Sequence, residues 1–215
     1  GEIQILSVNL HSRQNRTDLS IHYTDYVKID LETVTVTPIP DPEIEYRMDE
    51  LQWQDQANEV VDNTGNNHDG QAKGGATTVD NGAICRAGSF DGGDDYISAI
   101  DLSALRGTSS MSYWVKTSQL GSSVNYLAPG ISGIEEAGGT DDIFWGWLDV
   151  SGNVGITVGD EDTTKSSTSV NNNVWRHVVL TRNAANGAYQ IFIDGSLNAS
   201  GTSTSGNISN SFSSI

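Results

Sequence analysis

Trp175-Arg176-His177-Val178-Val179-Leu180-Thr181-Arg182, then Asn186-Gly187, then Ala188-Tyr189-Gln190-Ile191-Phe192-Ile193, then Asp194-Gly195: this stretch decides the fold. The apolar runs have strand length, and Asn-Gly and Asp-Gly are hairpin dipeptides because both residues tolerate positive φ. Outward from it, Ser151-Gly152-Asn153 separates Trp147–Val150 from Val154–Val158 in the same way. The three turns predict a continuous antiparallel meander from about residue 143 to about residue 200. Further strand-like runs are Ile3–Leu10, Val27–Val36, Ile44–Met48, Ser109–Lys116 and Ile143–Asp149. No long stretch carries a 3.6-residue period, and Leu102–Leu105 predicts one helical turn at most. Short, evenly spaced strands with Gly/Asn/Asp turns predict an all-β sandwich or jelly roll of antiparallel sheets.

Thr37-Pro38-Ile39-Pro40-Asp41-Pro42 breaks the pattern. Each proline lacks an N–H and holds φ, so neither a central strand nor a helix continues through it. Residues 38–43 are therefore a linker. Residues 1–37 read as the end of an upstream β-rich region, and residues 44–215 as the main domain. The opening Gly1–Leu10 has neither the basic start nor the apolar run of a signal peptide, so either the protein is not exported or the chain is an internal or processed piece, and the piece is the expectation.

The 215 residues carry 11 Lys+Arg against 28 Asp+Glu, a net charge of −17. A nucleic acid needs a basic footprint, so that partner class is excluded, as is an anionic membrane surface. No run approaches the roughly 20 apolar residues of a membrane span, which excludes direct insertion by a helix. Cations, neutral polar ligands and other proteins remain. The one cysteine, Cys85, cannot form an internal disulfide; it is expected as a strand-buried thiol or as the partner of a cysteine elsewhere. Asn-x-Ser/Thr sequons at Asn15, Asn198 and Asn207 are expected by chance in so Asn- and Ser-rich a chain.

Three ordered segments carry a resemblance. They are Val61-Asp62-Asn63-Thr64-Gly65-Asn66-Asn67-His68-Asp69-Gly70, then Ser89-Phe90-Asp91-Gly92-Gly93-Asp94-Asp95-Tyr96-Ile97, then Trp175-Arg176-His177-Val178-Val179 with Phe192-Ile193-Asp194-Gly195. In that order they resemble a laminin-G-like domain of the concanavalin A-like lectin/glucanase superfamily, over roughly residues 44–215. The resemblance implies a jelly roll of two antiparallel sheets, one convex and one concave. A narrower resemblance lies in Tyr46-Arg47-Met48-Asp49-Glu50 leading into Trp53, in Cys85-Arg86, and in Phe144-Trp145-Gly146-Trp147-Leu148. These are similar to the lectin-like domain of MshQ-type biogenesis proteins of the mannose-sensitive haemagglutinin pilus. That implies the extracellular space or cell surface of a Gram-negative bacterium, with pilus proteins among the partners. Members of the superfamily continue beyond a stretch like Gly201–Gly206 into a strand that closes a sheet. Here the chain stops at Phe212-Ser213-Ser214-Ile215, so the closing strand is expected to be missing.

Glucanases on this scaffold set carboxylates at alternating strand positions, a few ångströms apart, as nucleophile and acid. The alternating pairs here are Asp30/Glu32, Glu43/Glu45 and Asp160/Asp162. They read as solvated strand or loop residues, and no nucleophile elbow is present, so the expectation is a protein that is not an enzyme. His177 is expected as a strand histidine that packs or hydrogen-bonds. Calcium takes six to eight hard oxygens, and Asp62–Asp69 and Asp91–Asp95 are dense in them. The same residues also build turns. With the resemblance, possible Ca2+ ligands are Asp62, Asp91 and Asp95. For sugar, an aromatic face and a few placed polar groups are needed. Strict alternation in Phe144–Asp149 puts Trp145, Trp147 and Asp149 on one outward face and Phe144 with Leu148 in the core; burial of both tryptophans is the alternative. Trp114 and Trp175 are assigned to packing. The expected function is a lectin-like surface module binding glycan, the alternative being a structural module that docks pilus components.

Overall fold

The structure is a computed structural model, and it describes residues 40–99, 102–135, 141–159 and 165–208. The compact unit that holds them begins at Pro40. The runs Ile3–Leu10 and Val27–Val36, the closing-strand question at 209–215, and Asp30, Glu32, Asp160 and Asp162 lie outside the described residues.

The chain is all β. Four short strands come first: β1 (Gln71–Lys73), β2 (Thr77–Val79), β3 (Ala87–Ser89) and β4 (Tyr96–Ser98). After a 3-10 turn at Ser103–Arg106 come β5 (Ser109–Val115), β6 (Ser132–Ile134), β7 (Ile143–Leu148), β8 (Asn153–Val158), β9 (Lys165–Ser169), β10 (Arg176–Asn183), β11 (Ala188–Ile193) and β12 (Ser196–Thr202). Two antiparallel four-stranded sheets, ordered β12-β11-β10-β5 and β6-β7-β8-β9, make the sandwich, beside two-stranded pairs β1-β4 and β2-β3. The all-β jelly-roll reading holds.

The marked turns form as predicted. Gly152 and Gly187 take positive φ (77° and 72°), and so do Asp194 (50°) and Gly195 (78°), as hairpin loops of right-handed strands require. The single meander does not form. β6–β9 and β10–β12 belong to different sheets, so the chain crosses the sandwich after β9. β9 reads Lys-Ser-Ser-Thr-Ser, with no apolar alternation to announce an edge strand. Ile44–Met48 gives no strand, only an isolated bridge from Tyr46 to Asp62. Cys85 is exposed, on a loop with positive φ (55°), and not buried in a strand.

One core lies between the sheets. Ile143, Trp145, Leu148, Val154, Ile156 and Val158 meet Val178, Leu180, Tyr189, Ile191 and Ile193, with Met111, Tyr113 and Val115 from β5 at the side. Burying side chains of this size stabilises by about 1.5–3 kcal/mol each. A satellite core gathers Trp53, Val60, Ala72, Ala76 and Ile97 under the early strands. Arg182 is the charged exception on the inner face of β10, 2% exposed. Its guanidinium donates to the carbonyls of Arg106, Gly107, Thr204 and Gly206, and so ties residues 204–206 to the 3-10 turn. Burial lowers its pKa below the usual arginine value.

Candidate functional site

The Trp145/Trp147/Asp149 expectation is corrected by one glycine. Gly146 has φ +73° and is the extra residue of a bulge in β7, where the pairing with β8 slips between Trp145 and Trp147. The bulge restarts the alternation, so Trp145 and Leu148 face the core and Trp147 points the other way. Trp145 is fully buried and donates its indole N–H to the Leu105 carbonyl at 3.2 Å. Trp147 lies flat on β8, where a Cβ at Gly155 would sit 2.5 Å from its Cε2, and it donates to Thr157 Oγ1 at 3.0 Å. Lys165 Nζ covers the ring at 5.6 Å from its centroid and pairs with Asp149 Oδ2 at 3.2 Å. Only 5% of Trp147 reaches solvent. Asp149 is a turn residue: its Oδ1 accepts Ser151 N–H at 2.8 Å and Asn153 N–H at 3.0 Å. Burial would raise its pKa, but these bonds and Lys165 outweigh it and leave the carboxyl below the usual range. Trp147, Asp149 and Lys165 form a closed structural cluster, and neither tryptophan has a ring face free for a sugar.

The expected calcium ligands separate. Asp91 and Asp95 do come together, joined by Asp94, with one ligand atom from each within 4.8 Å of the others. Asp95 Oδ2 accepts Asp91 N–H at 2.8 Å and Asp91 Oδ1 accepts Gly93 N–H at 2.7 Å, so the loop is folded around its own carboxylates. Three carboxylates at this spacing match the donor type and reach of a hard cation. Asp62 is not among them. Its carboxylate accepts the N–H groups of Glu45 and Thr64 (3.1 Å each) and His68 (3.1 Å) and the Thr64 hydroxyl (2.8 Å). Burial opposes ionisation there, and the four donors overcome it, holding the pKa at about 2. Nearby, burial and the charges of Asp62 and Asp69 push Tyr46 up to about 12, and its hydroxyl donates to the His68 carbonyl. Asp62 organises a loop. Of the carboxylate pairs weighed for catalysis, Glu45 faces Arg47 at 3.1 Å and Glu43 faces His68 at 3.4 Å.

The outer face of the β12-β11-β10-β5 sheet presents a tryptophan ring to solvent. Trp114, assigned to packing, is 47% exposed there. Its ring lies 5.1 Å from that of His177, directly opposite on β10, with 32° between planes. His177 Nε2 and Ser112 Oγ share a hydrogen bond of 2.9 Å, and Asp194 Oδ1 accepts the His177 backbone N–H at 3.0 Å. That bond, with the Arg176 guanidinium at 2.7 Å, keeps the Asp194 pKa below the usual range. The signal was in the sequence: Met111, Tyr113 and Val115 alternate with Ser110, Ser112 and Trp114. A tryptophan in phase with serines belongs to a solvated face.

The register extends this face across the sheet. Ser112, Val179, Phe192 and Leu197 stand opposite one another on successive strands, and so do Ser110, Thr181, Gln190 and Ser200. At the end nearest the β10–β11 turn, Thr181, Gln190 and Ser200 line a shallow open groove of about 600 Å3, with Asn183, Ala188 and Thr202. None of these polar residues was singled out from the sequence.

Known proteins resemble the chain in consistent ways. The family model for the concanavalin A-like lectin/glucanases superfamily matches residues 91–215. Over 93 residues the chain is 34% identical to the rat (Rattus norvegicus) sushi, von Willebrand factor type A, EGF and pentraxin domain-containing protein 1, covering 43% of this chain and 2% of that protein's length. Among solved structures, domain 4 of AbnA, a GH43 extracellular arabinanase from Geobacillus stearothermophilus solved with arabinotriose, superposes with a TM-score of 0.51 at 23% identity. That match covers 71% of this chain and 74% of the domain. An S-layer domain-containing protein from Clostridium thermocellum gives 0.45 at 20% identity, covering 77% and 75% of the two chains.

Proposed function

The chain belongs to the concanavalin A-like lectin/glucanases superfamily, and on that premise we propose that it is a non-enzymatic carbohydrate-binding module whose ligand lies on the outer face of the β12-β11-β10-β5 sheet. One observation carries the proposal: Trp114 offers a half-exposed ring, braced by His177, beside the Ser112 hydroxyl. Sugar recognition needs an aromatic surface for the C–H face and fixed polar groups for the hydroxyls. That a domain of this fold was solved with arabinotriose makes arabinan a first polymer to try. The test is affinity electrophoresis through gels containing polysaccharide. Trp114→Ala loses roughly tenfold in affinity, about 1.4 kcal/mol, while its melting temperature stays that of the parent. Unchanged retardation of the variant overturns the proposal.

Calcium belongs to the proposal at Asp91, Asp94 and Asp95 only. It would neutralise three close carboxylates and stiffen the loop between β3 and β4. Calorimetric titration with Ca2+, repeated on Asp94→Ala, tests it; no heat with the parent protein rejects it. The narrower resemblance supports placing the module on the surface of a Gram-negative bacterium, in pilus assembly. Protein docking there is the second reading. Leu197, 55% exposed in line with Phe192 and Val179, favours it. Leu197→Asp abolishing piliation, in a protein that no polysaccharide retards, would select docking over sugar.

A further inference from the structure

We propose that this face takes an uncharged, extended polysaccharide chain along its length, running across the strands, and not an anionic glycan or a chain end. The inference rests on the reading that the face binds sugar, and goes on to name which sugars.

Its basis is the pair of parallel bands that the register lays over the sheet. One band is polar: Ser110, Thr181, Gln190 and Ser200, one from each strand. Strands lie 4.7–4.9 Å apart, so the band spans about 14 Å from edge to edge. That is a run of sugar rings and too long for one. The second band, one pleat along each strand, is Val179, Phe192 and Leu197, with Ser112 at its end. A pyranose or furanose chain has the same division, with ring C–H groups on its faces and hydroxyls on its edges. Laid across the strands, it sets its faces on the apolar band and its edges on the polar one. Laid along a strand, it would meet the two bands in turn and match neither.

The groove is open and lined by hydroxyl, amide and methyl groups. An open floor admits the middle of a chain, whereas capture of a terminus needs an end wall. Two of its lining residues, Arg182 and Tyr189, are buried on the inner face and contribute backbone, and the Arg182 guanidinium is committed to four carbonyls. At the other end of the sheet, Arg176 is held by Asp194, and Lys116 is exposed just past the end of β5. A polyanion would find no accessible cation among the described residues of the groove, and a protein of net charge −17 around it.

The experiment uses the full chain. Affinity electrophoresis is run against neutral linear polymers (arabinan, mannan, xylan) and anionic ones (polygalacturonate, hyaluronan), at low salt and at about 0.5 M salt. Competition follows with the monosaccharide and with oligomers of increasing length. At least one neutral polymer retards the protein equally at both salts. Competition strengthens at least tenfold from monomer to trimer. Gln190→Ala and Thr181→Val each weaken binding several-fold at unchanged melting temperature. If an anionic polymer binds best and salt releases it, or the monosaccharide competes as well as the trimer, the inference falls and the sugar-binding reading stands. It falls in the same way if the two variants bind normally while Trp114→Ala does not. If no polymer and no oligomer binds, both fall.

Discussion

Asn198 reaches from β12 to Ser167 on β9 and accepts its backbone N–H at 2.7 Å, joining the edges of the two sheets through one side chain. Asn198 is the extra residue of a bulge, where the β11–β12 pairing passes from Ile191↔Ala199 to Phe192↔Leu197. The same oxygen accepts Thr168 N–H at 3.3 Å, and the amide donates to Thr168 Oγ1 at 2.8 Å. The bulge thus turns an amide sideways to satisfy donors that no neighbouring strand takes.

Asn198→Ala removes these bonds and leaves the Ser167 and Thr168 N–H groups to water. We expect a loss of about 1–2 kcal/mol, or roughly 3–6 °C in melting temperature for a domain of this size. Amide exchange at residues 167 and 168 should quicken at the same time, and unchanged exchange there means the tie is idle.

Gly146 and Tyr113 are coupled. A Cβ at position 146 would lie 2.7 Å from the Tyr113 hydroxyl and 2.8 Å from Ile131 Cγ1, at a positive φ that side chains avoid. Gly146→Ala therefore costs about 2–4 kcal/mol. The Tyr113 hydroxyl is buried with no hydrogen-bond partner among the described residues, and its pKa is raised by that burial. Tyr113→Phe stabilises by about 1 kcal/mol. In the double variant the two changes do not add, because phenylalanine relieves part of the alanine's clash. Additive melting shifts refute the contact.

Asp62 sets an acid limit. Its folded pKa of about 2 lies below the unfolded value of about 3.9. A depressed carboxylate contributes stability above its unfolded pKa and loses it as pH falls through the folded one. The contribution, on the order of 1–2 kcal/mol, is complete at pH 5 and disappears between about pH 4 and pH 2. Asp62→Asn should be less stable than the parent at pH 6, and the difference should shrink toward pH 2 in urea denaturation.

Arg182→Met keeps length and apolar stem and removes four charge-assisted donors. The carbonyls at 106, 107, 204 and 206 lose their shared partner. We expect a loss of about 3 kcal/mol or more, with protease cutting appearing between residues 203 and 208. A variant that melts like the parent and resists the protease shows that the clasp is dispensable.

The architecture was legible where the information is local. Asn186-Gly187, Asp194-Gly195 and Ser151-Gly152-Asn153 are turns because of their own backbone preferences, and the runs beside them had nowhere else to pair. The superfamily motif around Asp91–Asp95 also marked a real carboxylate cluster, less Asp94. The site residues were misplaced where one residue changes the phase of a strand. Gly146 between two tryptophans is the written trace of a bulge, and strict alternation through it put Trp145 on the wrong face. Trp114 failed for the opposite reason: its hydrophobicity outweighed the serines that share its phase. The change of sheet after β9 is set by what β9 pairs with, and a polar edge strand carries little of that in its own residues.

The proposed sugar face draws its residues from distant parts of the chain. Ser112 and His177, which brace Trp114 together, are 65 positions apart. On a ribosome adding roughly 5–20 residues per second, β5 waits several seconds for the strand that completes it. Throughout that wait its hydrogen-bonding edge has no partner strand, and a product cut off before β10 would carry that edge open to other chains.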